Sequence, residues 1–405
     1  MESKISLRKF PFPFQCALAI CSDIDATQSL KRYLELQKFL CTDKATSSGK
    51  GVSLEIGNSF WFFRNSGHPG ISYFDKLSTN ETDFAPYCRL LINSGYIDVL
   101  HTYGDFNKGG FHRKFAELSV NEILKHNLEI KTWVNHGNKL NSQNIGGLHH
   151  FHGDRRNTDS YHTDLLQQTG IKYFWISQLT HLVGQDSNLT TINVFKNQLQ
   201  RLLAIKYYKR QVNPFFTNQL MSTVQLEDNS KINAFMRFIN PWGKYSYTDA
   251  ENLPRQINEK VIDELKSNNG YLILYTHLGN YKNMNEILPE KTCSVLRYLA
   301  DENSKGNIFI TTTTRLLTYY HVYKNLKFRI EKAGKEIKIN LHKSTDDPIS
   351  TQELNGFTFY TDDPENTEMY LDNKPLKKVV NPPDSNGKKS ISVPWQKLQF
   401  PSDLF

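Results

Sequence analysis

The segment 15–27, QCALAICSDIDAT, constrains the fold more than any other part of the chain. Its uncharged run 16–21 has the composition of a strand that is buried on both faces, which is typical of parallel sheets covered by helices. The run is followed by Asp23 and Asp25, and alternation along a strand points both carboxylates to the same side. Because two like charges this close need a metal ion, a proton or a basic partner, we expect a ligand site at the carboxyl end of this strand.

Further along, strand-like apolar runs alternate with amphipathic helix-like segments as far as about residue 325. The runs 96–106, 129–138 and 271–280 contain or end in polar side chains, as the first run does. This alternation predicts a mainly parallel α/β fold, in which ligand sites form at the carboxyl ends of the strands. That end of the sheet would collect, beside the aspartate pair, His101, Asp105, His136 and His277.

Two regions depart from the alternation. Residues from about 180 to 245 do not fit it, and we interpret them as an insertion that contains a basic helix and the strand INAFMRFI. From residue 326 to residue 405 the pattern changes to short strand-like runs separated by Gly, Asn, Asp and Pro turns. We therefore predict a barrel-like α/β domain over residues 1–325 and a small all-β, sandwich-like domain over residues 326–405.

Composition and charge disfavour several classes of protein. No apolar run approaches the roughly 20 residues that are needed to cross a bilayer. The formal net charge of +8 is modest for 405 residues, and only the stretch 196–210 is densely basic, so nucleic-acid binding has little support. We interpret that stretch as an amphipathic helix with a solvated face. The oligomeric state stays open.

The compartment is inferred from the cysteines and from the N-terminal segment. Five scattered cysteines without a C-x-x-C pair argue against a disulfide framework and fit a reducing environment. The first residues imitate a signal peptide, but Pro11 and Pro13 interrupt its apolar part, and a cut after it would fall beside the acidic pair. We therefore predict a first strand in this segment and a cytoplasmic protein, with secretion as the alternative.

The motifs CALAICSDID, VLHTYGD, the HG after WVN and LILYTH together resemble those of the polysaccharide deacetylase family. The NodB-type domain of that family is a distorted (β/α)7 barrel, and the resemblance covers roughly residues 10–325. It implies a metal-dependent hydrolase that removes acyl groups, usually N-acetyl, from a carbohydrate or polysaccharide. In this resemblance Asp23 matches the general base, Asp25 and His101 match metal ligands, and His277 matches the general acid.

The sequence departs from the family pattern in three places. Asp105 stands where the second metal-binding histidine is expected. The usual arginine-proline motif is absent, and WVNHG places Asn135 and His136 in its position. The two aspartates are separated by Ile24, whereas they are adjacent in the commonest form of the motif.

The donor types suit a hydrolytic metal site. Asp25, His101 and Asp105 would supply one nitrogen and two oxygen donors, a set that suits zinc and also cobalt, nickel or iron. Asp23 would accept the proton of the attacking water, and His277 would protonate the leaving group. As alternatives, the aspartate pair could cap the following helix, and Asp105 could hydrogen-bond a ligand histidine without binding the metal.

Candidate substrate-binding residues lie in the loops at the same end of the sheet, and they are Asn135, His136, Asp154 and His162. His136 could also be a third metal ligand or a turn residue, and His162 could simply belong to a polar helix start. Two other functional classes remain open. One is a barrel that binds carbohydrate without hydrolysing it, and the other is a glycoside hydrolase that pairs Asp23 with a distant carboxylate.

Overall fold

The structure is a computed structural model, and it describes residues 5–65, 67, 70–137, 140–146, 150–187, 190–196, 198–199, 218–241, 248–283, 285–342, 349–401 and 404. The chain divides into two compact units. The larger unit comprises Leu18–Asp301, Ile310–Thr314 and Leu398–Phe405, and the smaller unit comprises Met1–Ala17, Glu302–Phe309 and Arg315–Lys397. No helix in the described part of the chain has the length and apolar character that crossing a membrane requires.

Among the described residues the main sheet has eleven strands, ten of which follow one another in a continuous order. From one edge to the other these ten are Met221–Gln225, Lys231–Phe235, Tyr173–Trp175, Thr132–Val134, Ile97–His101, Gly57–Phe60, Cys16–Ser22, Tyr271–Thr276, Arg237–Phe238 and Leu179–Thr180. The eleventh is Ile308–Thr311. Pairing is parallel from Lys231–Phe235 through to Cys16–Ser22, whereas Met221–Gln225 forms an antiparallel hairpin with Lys231–Phe235.

The sheet is curled in a barrel-like manner, because residues 231–238 pair in two distant parts of the strand order. Ala234 is paired with Phe174, whereas Phe238 is paired with Leu274 on the far side of Cys16–Ser22 in that order. The structure therefore differs from the predicted insertion over 180–245, since residues 231–238 are strands of the main sheet itself. The strand predicted in INAFMRFI is present, as Lys231–Phe235 and Arg237–Phe238. The basic stretch 196–210 lies mostly outside the described residues.

Helices alternate with the strands of the main sheet, as the sequence predicted. Their bounds are Leu30–Cys41, Phe84–Asn93, Arg113–Lys125, Thr163–Gln168, Leu253–Gln256, Glu259–Asn268, Glu290–Ser304 and Thr313–Asn325. Local signals fix several of their ends: the side chain of Ser29 accepts a hydrogen bond from the Arg32 N–H, and that of Asn258 accepts one from the Val261 N–H. Short 3-10 helices lie at Ala250–Asn252 and Thr351–Leu354, and a small hairpin joins Ala45–Thr46 to Gly49–Lys50.

The smaller unit contains two four-stranded sheets. One has the order Ser6–Leu7, Thr358–Tyr360, Ser390–Ser392 and Val379–Asn381, and the other has the order Lys327–Ala333, Glu336–His342, Thr367–Leu371 and Lys374–Pro375. Side chains from both sheets, such as Phe359 and Met369, share one buried cluster with Tyr319 and Val322. The predicted short strands are therefore present. An all-β domain bounded at residue 326 is not confirmed, because the unit also includes an N-terminal strand and the helical residues from Arg315 onward.

A buried carboxyl group lies at the start of the strand that ends in His101. Asp98 is only 5% exposed, and its Oδ2 accepts a hydrogen bond of 2.6 Å from the Thr314 N–H. Its Oδ1 has no hydrogen-bond partner among the described residues, and it lies 2.4 Å from the position that a Cβ at Gly57 would take. Burial raises the pKa of Asp98 to about 7, although hydrogen bonds from Thr314 favour the charged form.

We expect Asp98→Asn to become more stable, relative to the wild type, as the pH rises from 4 to 7. The folded wild type binds a proton at Asp98 that the unfolded chain, with a pKa near 3.9, has already lost, so its stability falls across this window. The asparagine does not titrate, and the relative gain should approach about 4 kcal/mol above pH 7. Urea unfolding at pH 5, 6, 7 and 8 measures it.

The matched control is Asp263→Asn, because the Asp263 side chain is 67% exposed. Its difference from the wild type should change little with pH. A difference between Asp98→Asn and the wild type that stays constant from pH 5 to pH 8 would contradict the assignment of a raised pKa to Asp98.

Candidate active site

Four strands of the main sheet end in the polar side chains that the sequence predicted at this edge. Asp23 directly follows Cys16–Ser22, and its N–H donates a hydrogen bond of 2.9 Å to the Thr276 carbonyl. His101 is the last residue of its strand, His136 follows Thr132–Val134, and His277 follows Tyr271–Thr276. These side chains therefore lie together at the carboxyl ends of the strands, as the sequence predicted.

Asp25, His101 and His136 form the group that could hold a metal ion. Each offers one ligand atom, and these atoms all lie within 4.8 Å of one another. His136 Nδ1 lies 3.2 Å from Asp25 Oδ2 and 3.1 Å from His101 Nε2, and His101 Nδ1 lies 3.1 Å from Asp25 Oδ1. Asp25 Oδ1 is nevertheless buried without a well-aligned hydrogen bond. Two imidazoles and a carboxylate therefore converge on one point.

Neighbouring side chains hold the two histidines in place. The Ser59 hydroxyl lies 3.3 Å from His101 Nδ1. The Trp61 ring stacks on His101 at 5.8 Å and meets the edge of His136 at 5.1 Å between ring centroids. The Asn144 side chain accepts a hydrogen bond of 2.9 Å from the His136 N–H. Such partners fix the directions in which ligand nitrogens point.

Asp23 has a different environment from Asp25. It is fully buried, and its carboxylate lies 3.3 Å from the guanidinium of Arg237, which is also fully buried. That guanidinium lies 4.8 Å from the ring centroid of Trp175 and 5.0 Å from that of Tyr275. The Cys21 thiol donates to Asp23 Oδ1 at 3.5 Å. The basic partner expected for the aspartate pair is therefore present for Asp23.

His277 faces the site through one ring nitrogen. Its Nδ1 lies 3.2 Å from the Thr248 hydroxyl and 3.3 Å from the Thr248 carbonyl, so this nitrogen can donate to the carbonyl. Its Nε2 lies 3.3 Å from the Tyr275 hydroxyl and 3.8 Å from Asp25 Oδ2. Nε2 is therefore the nitrogen that is oriented toward the other site residues.

Burial and neighbouring charges shift the pKa values of the site residues in different directions. Burial favours neutral aspartates, but His136 and His101 hold the pKa of Asp25 well below its usual range, and His101 and Arg237 hold that of Asp23 below its usual value. Burial lowers the pKa of His136 to about 4, which leaves it neutral and able to act as a ligand. Burial also acts to lower the pKa of His277, yet the nearby Asp25 and Asp23 carboxylates raise it overall.

Asp105 is not a member of the group formed by Asp25, His101 and His136. Its buried carboxylate instead accepts a hydrogen bond from the Asn65 N–H. The sequence prediction of Asp105 as a ligand is therefore not supported, and His136 lies where the third donor was expected. Motif spacing placed Asp105 beside His101, but the turn after the strand directs its side chain to the neighbouring loop.

Three predicted substrate-binding residues are buried with partners inside the protein. Asn135 accepts a hydrogen bond from Trp133 Nε1 and donates one to the Ile145 carbonyl. Asp154 accepts hydrogen bonds from the Gly146 and Glu227 N–H groups, and burial raises its pKa.

His162 Nε2 lies 2.6 Å from the Gln143 carbonyl, its ring packs against Trp133, and burial lowers its pKa to about 4. Asn135, Asp154 and His162 are therefore buried and do not form an exposed surface of the site. The sequence could not show this, because a position in a loop does not determine the direction of a side chain.

Arg237 is a site residue that the sequence reasoning missed. It lies on the short strand Arg237–Phe238, inside the segment that was taken for an insertion. A single arginine within the apolar run INAFMRFI was the available signal, because a charge in a buried strand needs an opposite charge.

No known protein-family model matches the chain, and no curated protein matches it in sequence. The resemblance to polysaccharide deacetylases therefore stays a prediction from the motifs, and the functional argument depends on the geometry of the site.

Proposed function

We propose that this protein is a metal-dependent hydrolase that removes acetyl or other acyl groups from a carbohydrate or polysaccharide. In this proposal the larger unit is a variant of the NodB-type (β/α)7 barrel and acts in the cytoplasm. The observation that carries the proposal is the convergence of Asp25, His101 and His136 beside two further proton-transfer groups, Asp23 and His277.

The residues present fit a divalent metal ion. Two imidazoles and one carboxylate are a donor set that catalytic zinc sites use, with a further position open to water or substrate. The poorly satisfied, buried Asp25 Oδ1 is the kind of atom that a cation would complete. Asp25, His101 and His136 would hold the ion. When bound, a divalent ion supplies Lewis acidity that makes a water molecule a better nucleophile and polarises the acyl carbonyl.

The side chains of this protein supply the proton transfers. His101 and Arg237 hold the pKa of Asp23 below its usual value, so its carboxylate can accept the proton of the attacking water. The imidazole of His277 has a raised pKa and directs Nε2 toward the site, so it can protonate the leaving amine or alcohol. The different partners of the two aspartates thus give Asp25 the ligand role and Asp23 the role of base.

The alternative functions have less support from the geometry. A barrel that binds carbohydrate without hydrolysing it was suggested by the missing second histidine and the missing arginine motif. In this proposal His136 and Arg237, which lie on or just after other strands, supply the imidazole and the guanidinium that those motifs lack. A glycoside hydrolase would use Asp23 with a carboxylate across the cleft, whereas the Asp23 carboxylate lies against Arg237, Cys21 and His101.

The proposal is tested by acetate release from N-acetylated and O-acetylated oligosaccharides, with zinc present. We expect Asp23→Asn to lower kcat by about 100-fold to 10,000-fold, because the amide cannot accept the proton, while zinc binding persists. The matched control is Asp154→Asn, which changes another buried aspartate and should leave kcat nearly unchanged. A wild-type protein that binds zinc and glycans but releases no acetate would overturn the proposal in favour of a binding function.

A further inference from the structure

Asn107 lies in the turn that follows the strand Ile97–His101, and its amide faces His136. Asn107 Nδ2 lies 3.0 Å from His136 Nε2, while Asn107 Oδ1 is buried without a hydrogen-bond partner among the described residues. The backbone beside His136 makes room for this amide, because a Cβ at Gly137 would lie only 1.6 Å from Asn107 Oδ1. The amide is therefore closely confined against His136.

The turn that carries Asn107 is fixed by several hydrogen bonds. The Asp105 carboxylate accepts from the Asn65 N–H, and the Asn65 side chain donates to the Gly109 carbonyl at 3.0 Å. The Asn107 N–H donates a hydrogen bond of 2.8 Å to the Asp105 carbonyl. Asp105 thus helps to hold the turn and does not itself reach the candidate ligand group.

The two nitrogens of His136 have opposite surroundings. Nδ1 faces Asp25 Oδ2 at 3.2 Å and His101 Nε2 at 3.1 Å, and Nε2 faces Asn107. A neutral imidazole carries one N–H, so a histidine that binds a metal through Nδ1 must carry its hydrogen on Nε2. That hydrogen needs an acceptor, and the amide of Asn107 is the group in reach.

We infer that Asn107 is the positioning residue that allows His136 to act as a metal ligand; this rests on the proposed metal-dependent function.

Without metal, the Asn107 amide donates to Nε2 of His136, and Nδ1–H of His136 donates to Asp25. With Nδ1 used as a ligand, one proton leaves Nδ1 to solvent and one is taken up at Nε2. The Asn107 amide then flips, so that its Oδ1 accepts a hydrogen bond from Nε2–H of His136. An amide serves both states because it has a donor end and an acceptor end of equal size.

The test measures zinc affinity by competition with a chromophoric chelator. Asn107→Leu removes donor and acceptor and should weaken zinc binding about 10-fold to 100-fold. Asn107→Asp keeps an acceptor for Nε2–H and should stay within about 10-fold of the wild type. Lys108→Leu alters an exposed neighbour in the same turn and is the matched control, with wild-type affinity expected.

A second readout does not depend on a folded variant. Nitrogen NMR of wild-type protein labelled with ¹⁵N-histidine should show the hydrogen of His136 on Nδ1 without zinc and on Nε2 with zinc. A hydrogen that stays on Nδ1 when zinc is bound would overturn the inference. So would an Asn107→Leu protein that binds zinc as tightly as Lys108→Leu. A wild-type protein that binds no zinc would overturn the proposed function, and with it this inference.

Discussion

His136→Ala is expected to weaken zinc binding by more than about 100-fold. Loss of a residue that only hydrogen-bonds a metal ligand causes a smaller loss, of about 10-fold to 100-fold. The alanine removes one of the three groups whose ligand atoms lie within 4.8 Å of one another, and Asp25 and His101 would remain as an incomplete pair. Acetate release should fall with the zinc content. Equilibrium dialysis followed by metal analysis measures the stoichiometry, and chelator competition measures the affinity.

Asp105→Asn is the control that distinguishes a ligand set containing His136 from one containing Asp105. The asparagine keeps an oxygen that can accept from the Asn65 N–H, so the turn should stay intact and zinc binding should remain close to that of the wild type. A ligand set of Asp25, His101 and Asp105, which the sequence suggested, would give the opposite order of effects. Loss of zinc in Asp105→Asn together with retention in His136→Ala would therefore contradict the proposed ligand set of Asp25, His101 and His136.

Arg237→Met is expected to lower the free energy of unfolding by about 3–5 kcal/mol, because it leaves the buried Asp23 carboxylate without its ion-pair partner. Methionine fills much of the same volume, so the lost charge should dominate the effect. Urea unfolding of the metal-free protein measures the change and avoids the additional stability that bound metal would give.

A double-mutant cycle isolates the contribution of this pair. Arg237→Met combined with Asp23→Asn should be clearly more stable than the sum of the two single losses implies, because the double variant buries no unpaired charge. Arg237→Lys should recover only part of the stability, since an ammonium cannot reproduce the planar stacking on Trp175 and Tyr275. Additive losses in the double variant would show that Asp23 and Arg237 are not coupled.

The predicted alternation of strands and helices is found because it depends on short-range patterns. The apolar run 16–21 is buried along its whole length, and helices follow the strands that end at Ser22, His101 and Thr276. Parallel strands bring their carboxyl ends to one edge whatever their exact order. The approach of Asp25, His101 and His277 was therefore foreseeable from residues that are far apart in the chain.

The choice between Asp105 and His136 could not be made from the sequence, because it depends on the direction of side chains beyond the strand ends. A turn can point a carboxylate into the site or toward a neighbouring loop, and here the Asp105 carboxylate accepts a hydrogen bond from the Asn65 N–H. The same limit applies to Asn135, Asp154 and His162, whose loop positions suggested an open cleft but whose partners lie within the protein.

The sequence by itself determined that two carboxylates follow a buried strand and need a cationic partner, since the cost of isolated buried charge is a local property. Only the tertiary structure decided that Arg237 is the basic partner of Asp23 and that Asp25 lies beside both His101 and His136. Residues 231–238 pair in two distant parts of the curled sheet, and this places Arg237 against Asp23 while Asp25 faces the two histidines. That division depends on long-range strand pairing, which no local pattern of residues encodes.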